Sequence, residues 1–404
     1  MQDVLQGIKI VEVAAWTFVP ISGAVLSEWG ADVIKIEHPV SGDPQRGLVT
    51  SGLVPGGGDG VNFMFEIPNR GKRSVGLDIS TEDGRELLYK LVETADVFVT
   101  SFLPELRKRL GIDVDQIRAR NPNIIYVRGS GQGARGPEKD RGGFDGASFW
   151  ARAGLAMTFK DPAVEWPVDQ RPGFGDVLGG LTIAGGIAAA LLRRERTGKP
   201  SIVDVSLLGL GLWSLAPEVT SAKLYEGVEV PAFDRDSIPN PLVGTYPTKD
   251  GRFIALVLLQ ADRFWPDLAA HLDRPDLIDD PRFKDGAARF ENRRECIQVL
   301  REIFRSRPYA EWCERLKTLQ GVWAPLQTPL ELHDDPAVVA NGYLEPTTAS
   351  GTEFVLPANP VQFDETPPSV HGAPAHGEHT DEVLLELGLT YDEIIEHKVT
   401  GAVL

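Results

Sequence analysis

The hydrophobic spacing along this chain switches repeatedly between strand and helix periods. Residues 8–13, Ile-Lys-Ile-Val-Glu-Val, are short and β-branched, the pattern of a buried strand. Residues 20–29 carry small and apolar side chains at helical spacing, and 31–37, Ala-Asp-Val-Ile-Lys-Ile-Glu, return to strand character. Further strands are predicted at 74–79, 97–100 and 124–128, with helices over 82–93 and 114–119 between them. Strands alternating with helices predict an open parallel α/β sheet.

The pattern changes after residue 225. Residues 225–240 are polar and proline-containing, and 244–258 read as a hairpin turning at Lys249-Asp250-Gly251. Amphipathic helices are predicted at 262–271, 294–304 and 309–319, so a second, smaller domain is expected here. Residues 366–377 are rich in Pro and His, and Thr380-Asp381-Glu382 opens a last helix with acids suited to its dipole. No internal repeat or low-complexity tract interrupts the sequence.

With 404 residues, 42% of them hydrophobic, the chain can bury a large core. Its formal net charge is −17, from 58 acids against 41 bases, which argues against a nucleic-acid partner. The first residues show no basic segment followed by an apolar run, so a cytoplasmic protein is expected. The uncharged run 177–192 contains four glycines and reads as a packed helix too short to span a bilayer. Cys296 and Cys313 sit in no disulfide or metal-ligand spacing, which suggests a reducing compartment. His371, His376 and His379 lack a helical i, i+4 pair or a cysteine partner, so neither a metal nor any permanently bound cofactor is expected.

Parallel sheets of this kind bind ligands beyond the carboxyl ends of their strands, which directs attention to residues 14–18 and 100–103. The first of these loops reads Ala-Ala-Trp-Thr-Phe, without the G-x-G-x-x-G of a dinucleotide site, and Glu37 reads as an ordinary strand-end charge. G-x-S-x-G, P-loop and H-E-x-x-H patterns are absent. Asp176, following Gly175 at the head of the glycine-rich run, has two readings. It caps the helix, or it is a carboxylate nucleophile with glycines leaving room for a bulky thioester. The cation groups Arg70-Gly71-Lys72-Arg73 and Arg107-Lys108-Arg109 are either phosphate contacts or solvated basic faces. Residues 140–145, Asp-Arg-Gly-Gly-Phe-Asp, form a glycine turn able to approach a ligand closely.

Taken in order, several segments resemble the class III coenzyme A transferases, the group that includes formyl-CoA:oxalate and carnitine CoA-transferases and the α-methylacyl-CoA racemases. The resemblance runs nearly end to end. It rests on residues 5–10, 30–37, 69–74, Gly175-Asp176, 194–199, 244–248, 280–283 and 377–382. It implies a large Rossmann-like domain from residues 1–225, a small α+β domain from 226–335, and a segment 336–404 returning to the large domain. Two chains would interlock as rings in a homodimer.

By the same resemblance Asp176 is the catalytic aspartate, forming an aspartyl anhydride and then an aspartyl-CoA thioester while CoA passes from an acyl-CoA donor to a carboxylic acid. Coenzyme A contacts would come from Thr17, Phe18, His38, Leu77, Asp78, Ser101, Phe102, Leu103, Arg109, Gly142, Gly143, Phe144 and Asp145. His38 stands where many members have Arg, Ser101 where Asn is usual, and Val19 where Gly is frequent. Residues 238–241, Ile-Pro-Asn-Pro, replace the glycine run of formyl-CoA transferases, so oxalate or formate is not an expected substrate. The racemase branch places a catalytic His where this chain has Phe144, which favours the transferase. Racemisation, intramolecular CoA transfer and a silent CoA-binding protein remain alternatives. Trp150, Trp166, Trp213 and Phe233 are candidates for an acyl pocket or for the core.

Overall fold

The structure is a computed structural model that describes residues 3–48, 60–161, 163–225, 234–349 and 351–404. Its N-terminal half builds β1 (Lys9–Val13), α1 (Phe18–Glu28), β2 (Asp32–Glu37), α2 (Phe63–Asn69), β3 (Arg73–Gly76) and α3 (Glu82–Glu93). There follow β4 (Val97–Thr100), α4 (Pro104–Leu110), α5 (Val114–Arg120), β5 (Ile125–Ser130), a π-helical turn at Gly146–Arg152 and the short α6 (Leu155–Thr158). The long α7 (Phe174–Thr197), β6 (Ile202–Ser206), α8 (Leu207–Ser214) and α9 (Ala216–Leu224) complete this part.

All six strands are parallel, in the order β3-β2-β1-β4-β5-β6. This is the strand order of the dinucleotide-binding Rossmann fold, reached here without its glycine fingerprint. The period-two alternation of the strands sorts their side chains onto two cores. Val11, Val13, Ile34, Ile36, Phe98 and Tyr126 face one side with α3, α5 and the C-terminal helices. Ile10, Val33, Val97, Val99, Ile125 and Val127 face the other, where α1 and α7 pack.

Local chemistry explains the helices. Thr81 caps α3 through its hydroxyl, which accepts from the Gly84 N–H, and Glu82 and Asp83 complement the helix dipole. The helix turns Leu87, Leu88, Leu91 and Val92 onto the sheet. α1 is buried on every face because the sheet lies on one side and α7 on the other. A Cβ on Gly179 would lie 2.3 Å from the Phe18 ring, and one on Gly180 2.3 Å from Ile21. Gly175 is packed in the same way against Phe149, at 2.6 Å. The glycines nearest Asp176 therefore serve close packing, mostly of helix on helix, and not room for a thioester.

By length and composition alone α7 could cross a membrane, since it is 24 residues long where the uncharged run suggested less. Half of its apolar stretch is buried within the fold.

Backbone contacts divide the chain into two compact units. Met1–Lys160, Val164–Val228 and Pro336–Leu404 form the larger, and Asp161–Ala163 with Glu229–Asp335 the smaller. The smaller unit holds an antiparallel sheet in which β8 (Phe253–Val257) lies between β7 (Val243–Pro247) and β9 (Trp323–Pro325). Helices α10 (Ala261–His271), α11 (Gly286–Glu291), α12 (Arg293–Arg305) and α13 (Tyr309–Arg315) belong to the same unit. Their core is built around Trp265, Phe283, Leu300, Phe304 and Trp312.

The returning segment carries α14 (Pro336–Ala340), the hairpin β10 (Leu344–Ala349) and β11 (Thr352–Pro357), α15 (Thr380–Glu386) and α16 (Tyr391–Thr400). It covers the β3 edge of the sheet: Leu77 bridges to Val403, the Asp78 N–H donates to the Ala402 carbonyl, and the Gly76 N–H donates to the Thr380 hydroxyl. His379 Nδ1 accepts from the Ser74 N–H, and His376 Nε2 lies 3.0 Å from the His38 carbonyl. These two histidines join the tail to the sheet.

Candidate active site

The strand order reverses between β1 and β4, the point at which a doubly wound sheet opens a ligand crevice. Two cavities lie there and share Ala15, Trp16, Ser101 and Leu103 as walls. The first, about 470 Å³, is lined by residues 14–16, 36–38, 41–44, 101–103 and Leu106. The second, about 380 Å³, is lined by Ala15, Trp16, Phe18, Ser101, Leu103, residues 129–131, residues 142–144, Ala147, Leu207 and Asp176. Together they make a continuous wall from His38 to Asp176.

The loop after β1 is fastened at every residue. Lys35 Nζ donates to the Ala14 carbonyl at 2.8 Å, and the Ala15 N–H donates to Ser101 Oγ at 3.1 Å. The Trp16 N–H donates to Asp43 Oδ1 at 3.2 Å, and Gln45 Nε2 donates to the Thr17 hydroxyl at 2.8 Å. Trp16 has φ +70°, a left-handed conformation costly for a bulky side chain, so these fastenings hold strain in place.

Beneath the loop lies a buried ionic network. Glu12 and Lys35 are register partners on β1 and β2, and Lys35 also pairs with Asp43 at 2.9 Å. Lys72 pairs with Glu12 at 2.7 Å. Burial works to lower the pKa of Lys35, but Asp43, Glu12 and Glu37 outweigh it and raise the value. Burial pushes Lys72 down to about 8 despite Glu12, with Lys35 adding repulsion.

Burial also works to raise Glu37, yet Arg46 and Lys35 hold it at about 2, and its carboxylate anchors the Asp43 N–H at 2.9 Å. Glu37 is thus more than a strand-end charge. The cations at 70–73 are likewise neither phosphate ligands nor a solvated face. Lys72 is buried against Glu12, Arg70 is buried against Glu28, and Arg73 joins Asp32 and Glu386. In the second group Arg107 is buried with Asp113, while Lys108 pairs with Glu105 at the surface.

Asp176 stands in the first turn of α7, whose N-cap is Gly173 at φ +81° with no side-chain cap. The capping reading of Asp176 is therefore corrected: the helix begins earlier, because glycine takes the left-handed turn and frees the carboxyl to face the cavity. Half-buried, this carboxyl is pushed up to about 7, first by burial and then by the negative charge of Asp145. Asp145 is held by Gln170 Nε2 at 2.8 Å. The Gly142-Gly143 turn packs between Gly131, just past β5, and the π-helical turn, where a Cβ on Gly143 would come within 2.2 Å of Ser148 Oγ.

The other expected contacts divide into those that line a cavity and those that line neither. Phe18, Gly142, Gly143 and Phe144 line the Asp176 cavity, His38 and Phe102 line the first cavity, and Ser101 and Leu103 line both. Thr17 is buried against Gln45, Leu77 is in the core, and Asp78 binds Ser80 beside His38. Arg109 is exposed at the end of α4, lines neither cavity and has no ion pair among the described residues.

Trp166 and Trp213 are 73% and 79% exposed and lie in neither the core nor this cavity. Trp150 donates to the Val168 carbonyl and stacks on Phe159, and Phe233 lies outside the described residues. The aromatic side chains that do line the Asp176 cavity are Trp16, Phe18 and Phe144. Trp16 lies in the loop 14–18 that topology placed near a ligand, but it was not among the named contacts, although a lone Trp after β1 was a visible signal.

Known proteins resemble this chain over nearly its whole length. Residues 5–380 match CoA-transferase family III. The chain is 33% identical to (R)-2-hydroxy-4-methylpentanoate CoA-transferase of Clostridioides difficile, over 96% of both proteins. It is 30% identical to cinnamoyl-CoA:phenyllactate CoA-transferase of Clostridium sporogenes, over 98% of this chain and 96% of that one. The crystal structure of a CAIB/BAIF family protein from Brucella suis superposes with TM-score 0.80 and 28% identity, covering 96% of this chain and 100% of that one. The chain belongs to CoA-transferase family III and is an enzyme of the class that passes coenzyme A to an acid.

Proposed function

We propose that Asp176 is the covalent carrier of the acyl group and then of CoA. One Asp176 carboxylate oxygen attacks the donor thioester carbonyl; the C–S bond breaks and CoA leaves as thiolate with the bonding pair. The thiolate then attacks the Asp176 carbonyl of the mixed anhydride, releasing the donor acid as carboxylate and leaving an aspartyl-CoA thioester. An acceptor carboxylate attacks that thioester, re-forming an anhydride and thiolate. Thiolate attack on the acceptor's carbonyl yields the new acyl-CoA and restores Asp176. No proton or electron is consumed overall.

The observation that carries this reading is the position of Asp176 in the second switch-point cavity, which shares Ala15, Trp16, Ser101 and Leu103 with the first, and its acid is pushed up to about 7. A carboxylate of that basicity is a better nucleophile than a free aspartate, and about half of it is ionised near pH 7. The nucleotide end of CoA would lie along His38 and residues 101–103, which makes each later attack effectively intramolecular. Proton shuttling at an α-carbon needs a partner of opposite role, and no histidine lines the Asp176 cavity among the described residues.

We also assign the active form to an interlocked homodimer. Supporting this, Met157, Phe159, Trp166, Phe174 and Trp213 of the larger unit are all exposed, apolar side chains that a second chain would cover.

Trapping tests the carrier. Enzyme incubated with an acyl-CoA and quenched in hydroxylamine should give a hydroxamate on the Asp176 peptide by mass spectrometry, and Asp176→Ala should give neither label nor exchange. Steady exchange in Asp176→Ala would end the proposal. Sedimentation should give twice the chain mass.

A further inference from the structure

We propose that Trp16 and Phe144 form a specificity wall over the Asp176 cavity, selecting acids that are apolar beyond the reacting carboxyl, aromatic or branched monocarboxylates, against dicarboxylates. This rests on Asp176 as the acyl carrier. The two rings meet edge to face, with centroids 5.5 Å apart and planes at 90°. Trp16 is 37% exposed and Phe144 60%, so neither ring is core. An apolar acyl group lying on them would remove both from water.

Two further observations point the same way. Trp16 keeps a left-handed backbone where glycine would rest without strain, held by Lys35, Ser101, Asp43 and Gln45 acting on four successive residues. Strain held in place by so many contacts is characteristic of a functional position, and here what it presents to the cavity is an indole ring. The charge of the cavity supplies the second half of the selection. Among its described lining residues there is no lysine, arginine or histidine, while Asp176 lines it and Asp145 acts on Asp176 electrostatically. The acceptor meets Asp176 as its uncharged CoA thioester, and a second carboxylate would enter a partly dry site near Asp145 with no cation among its described lining residues to meet it. An uncompensated anion of this kind costs enough for a discrimination of about a hundredfold or more.

The test uses the full-length enzyme with acetyl-CoA as donor. The acceptors are 3-phenylpropionate, 4-methylpentanoate, butyrate, succinate and glutarate, and kcat/KM is read from the new thioesters. The two bulky apolar acids are expected to exceed the dicarboxylates by about a hundredfold. Trp16→Ala and Phe144→Ala should each lower the ratio of 3-phenylpropionate to butyrate by about tenfold, and Trp16→Phe should recover most of it. Melting curves establish that the variants are folded, and Phe144, being exposed, gives the safer of the two truncations. Equal or better use of succinate or glutarate overturns the wall, as does an equal loss for every acid in both variants. If hydroxylamine labels Asp176 while dicarboxylates win, the wall alone fails. If Asp176 is never labelled and no acid is exchanged, the carrier reading fails and the wall with it.

Discussion

Titration of Asp176 should leave a mark on both stability and activity. Its carboxyl is raised from 3.8 to about 7, chiefly by burial and then by Asp145. Below about pH 3.8 the group is protonated in both folded and unfolded chains and contributes no difference. Between 3.8 and about 7 the folded chain retains a proton that the unfolded chain has lost, so its contribution to stability falls as pH rises, and the penalty is complete above about 7. Three units at about 1.4 kcal/mol each set a ceiling of about 4 kcal/mol, and solvent reaching a half-buried group reduces this to about 2 kcal/mol.

Asp176→Asn removes the charge and should raise the melting temperature by about 3 °C at pH 8 for a unit of this size, and by nothing at pH 4. Comparison between the two pH values cancels whatever else the amide changes. A shift of the same size at both would show that the carboxyl is not desolvated as described. Activity provides an independent reading: kcat/KM, which reports the free enzyme, should climb through a single ionisation near pH 7 and then level. In Asp145→Asn, where the second cause is gone, that limb should move to lower pH. A wild-type limb near pH 4 would refute the electrostatic account.

Other substitutions test the scaffold. Gly179→Ala and Gly180→Ala should each cost about 1–3 kcal/mol, because their new methyl groups meet Phe18 and Ile21. Gly185→Ala on the same helix meets nothing and should gain about 0.5–1 kcal/mol in thermal melts; equal effects at all three would deny the close α1–α7 packing. Glu12→Gln strands the buried ammonium group of Lys72 and leaves Lys35 with Asp43 alone, with an expected loss of about 3–5 kcal/mol in urea unfolding, and a loss below about 1 would contradict the network. Cys296, buried and with its thiol pushed up to about 12, should resist a disulfide reagent at pH 8 until the chain is unfolded; rapid labelling of the native protein would refute that burial.

Much of the parallel sheet was legible because its strands are short β-branched runs between helical patterns: β1, β2, β4 and β5 fall within two residues of their expected positions. β6 was missed because its five residues, Ile-Val-Asp-Val-Ser, carry an acid and lie at the partly exposed sheet edge, where the hydrophobic signal weakens. The hairpin of β10 and β11 carries Thr, Glu and Pro among its apolar residues, and only Thr347 and Leu356 of the two strands are buried, so it offered no buried run. α16 went unread despite its Thr390–Glu393 capping box, since the helix opening at Thr380 was taken as the last one.

The loops at the switch point could be located from topology alone, but the meaning of their charges could not. Arg70, Lys72 and Arg73 looked like a basic surface because the acids that neutralise them lie 41 to 60 residues away or, for Glu386, at the other end of the chain. A warning was nevertheless present in the strands. Glu12 and Lys35 interrupt otherwise apolar runs, and a charge in the middle of a central strand must find its opposite inside the protein. Once Glu12 and Lys35 are set across from each other, Lys35 reaches the Ala14 carbonyl and Asp43, and Asp43 holds the Trp16 amide. The interior charges thus fix the backbone that carries the tryptophan. The buried charges shape the loop that sets the Trp16 ring beside Asp176, a role that their burial reveals and their spacing in the sequence did not.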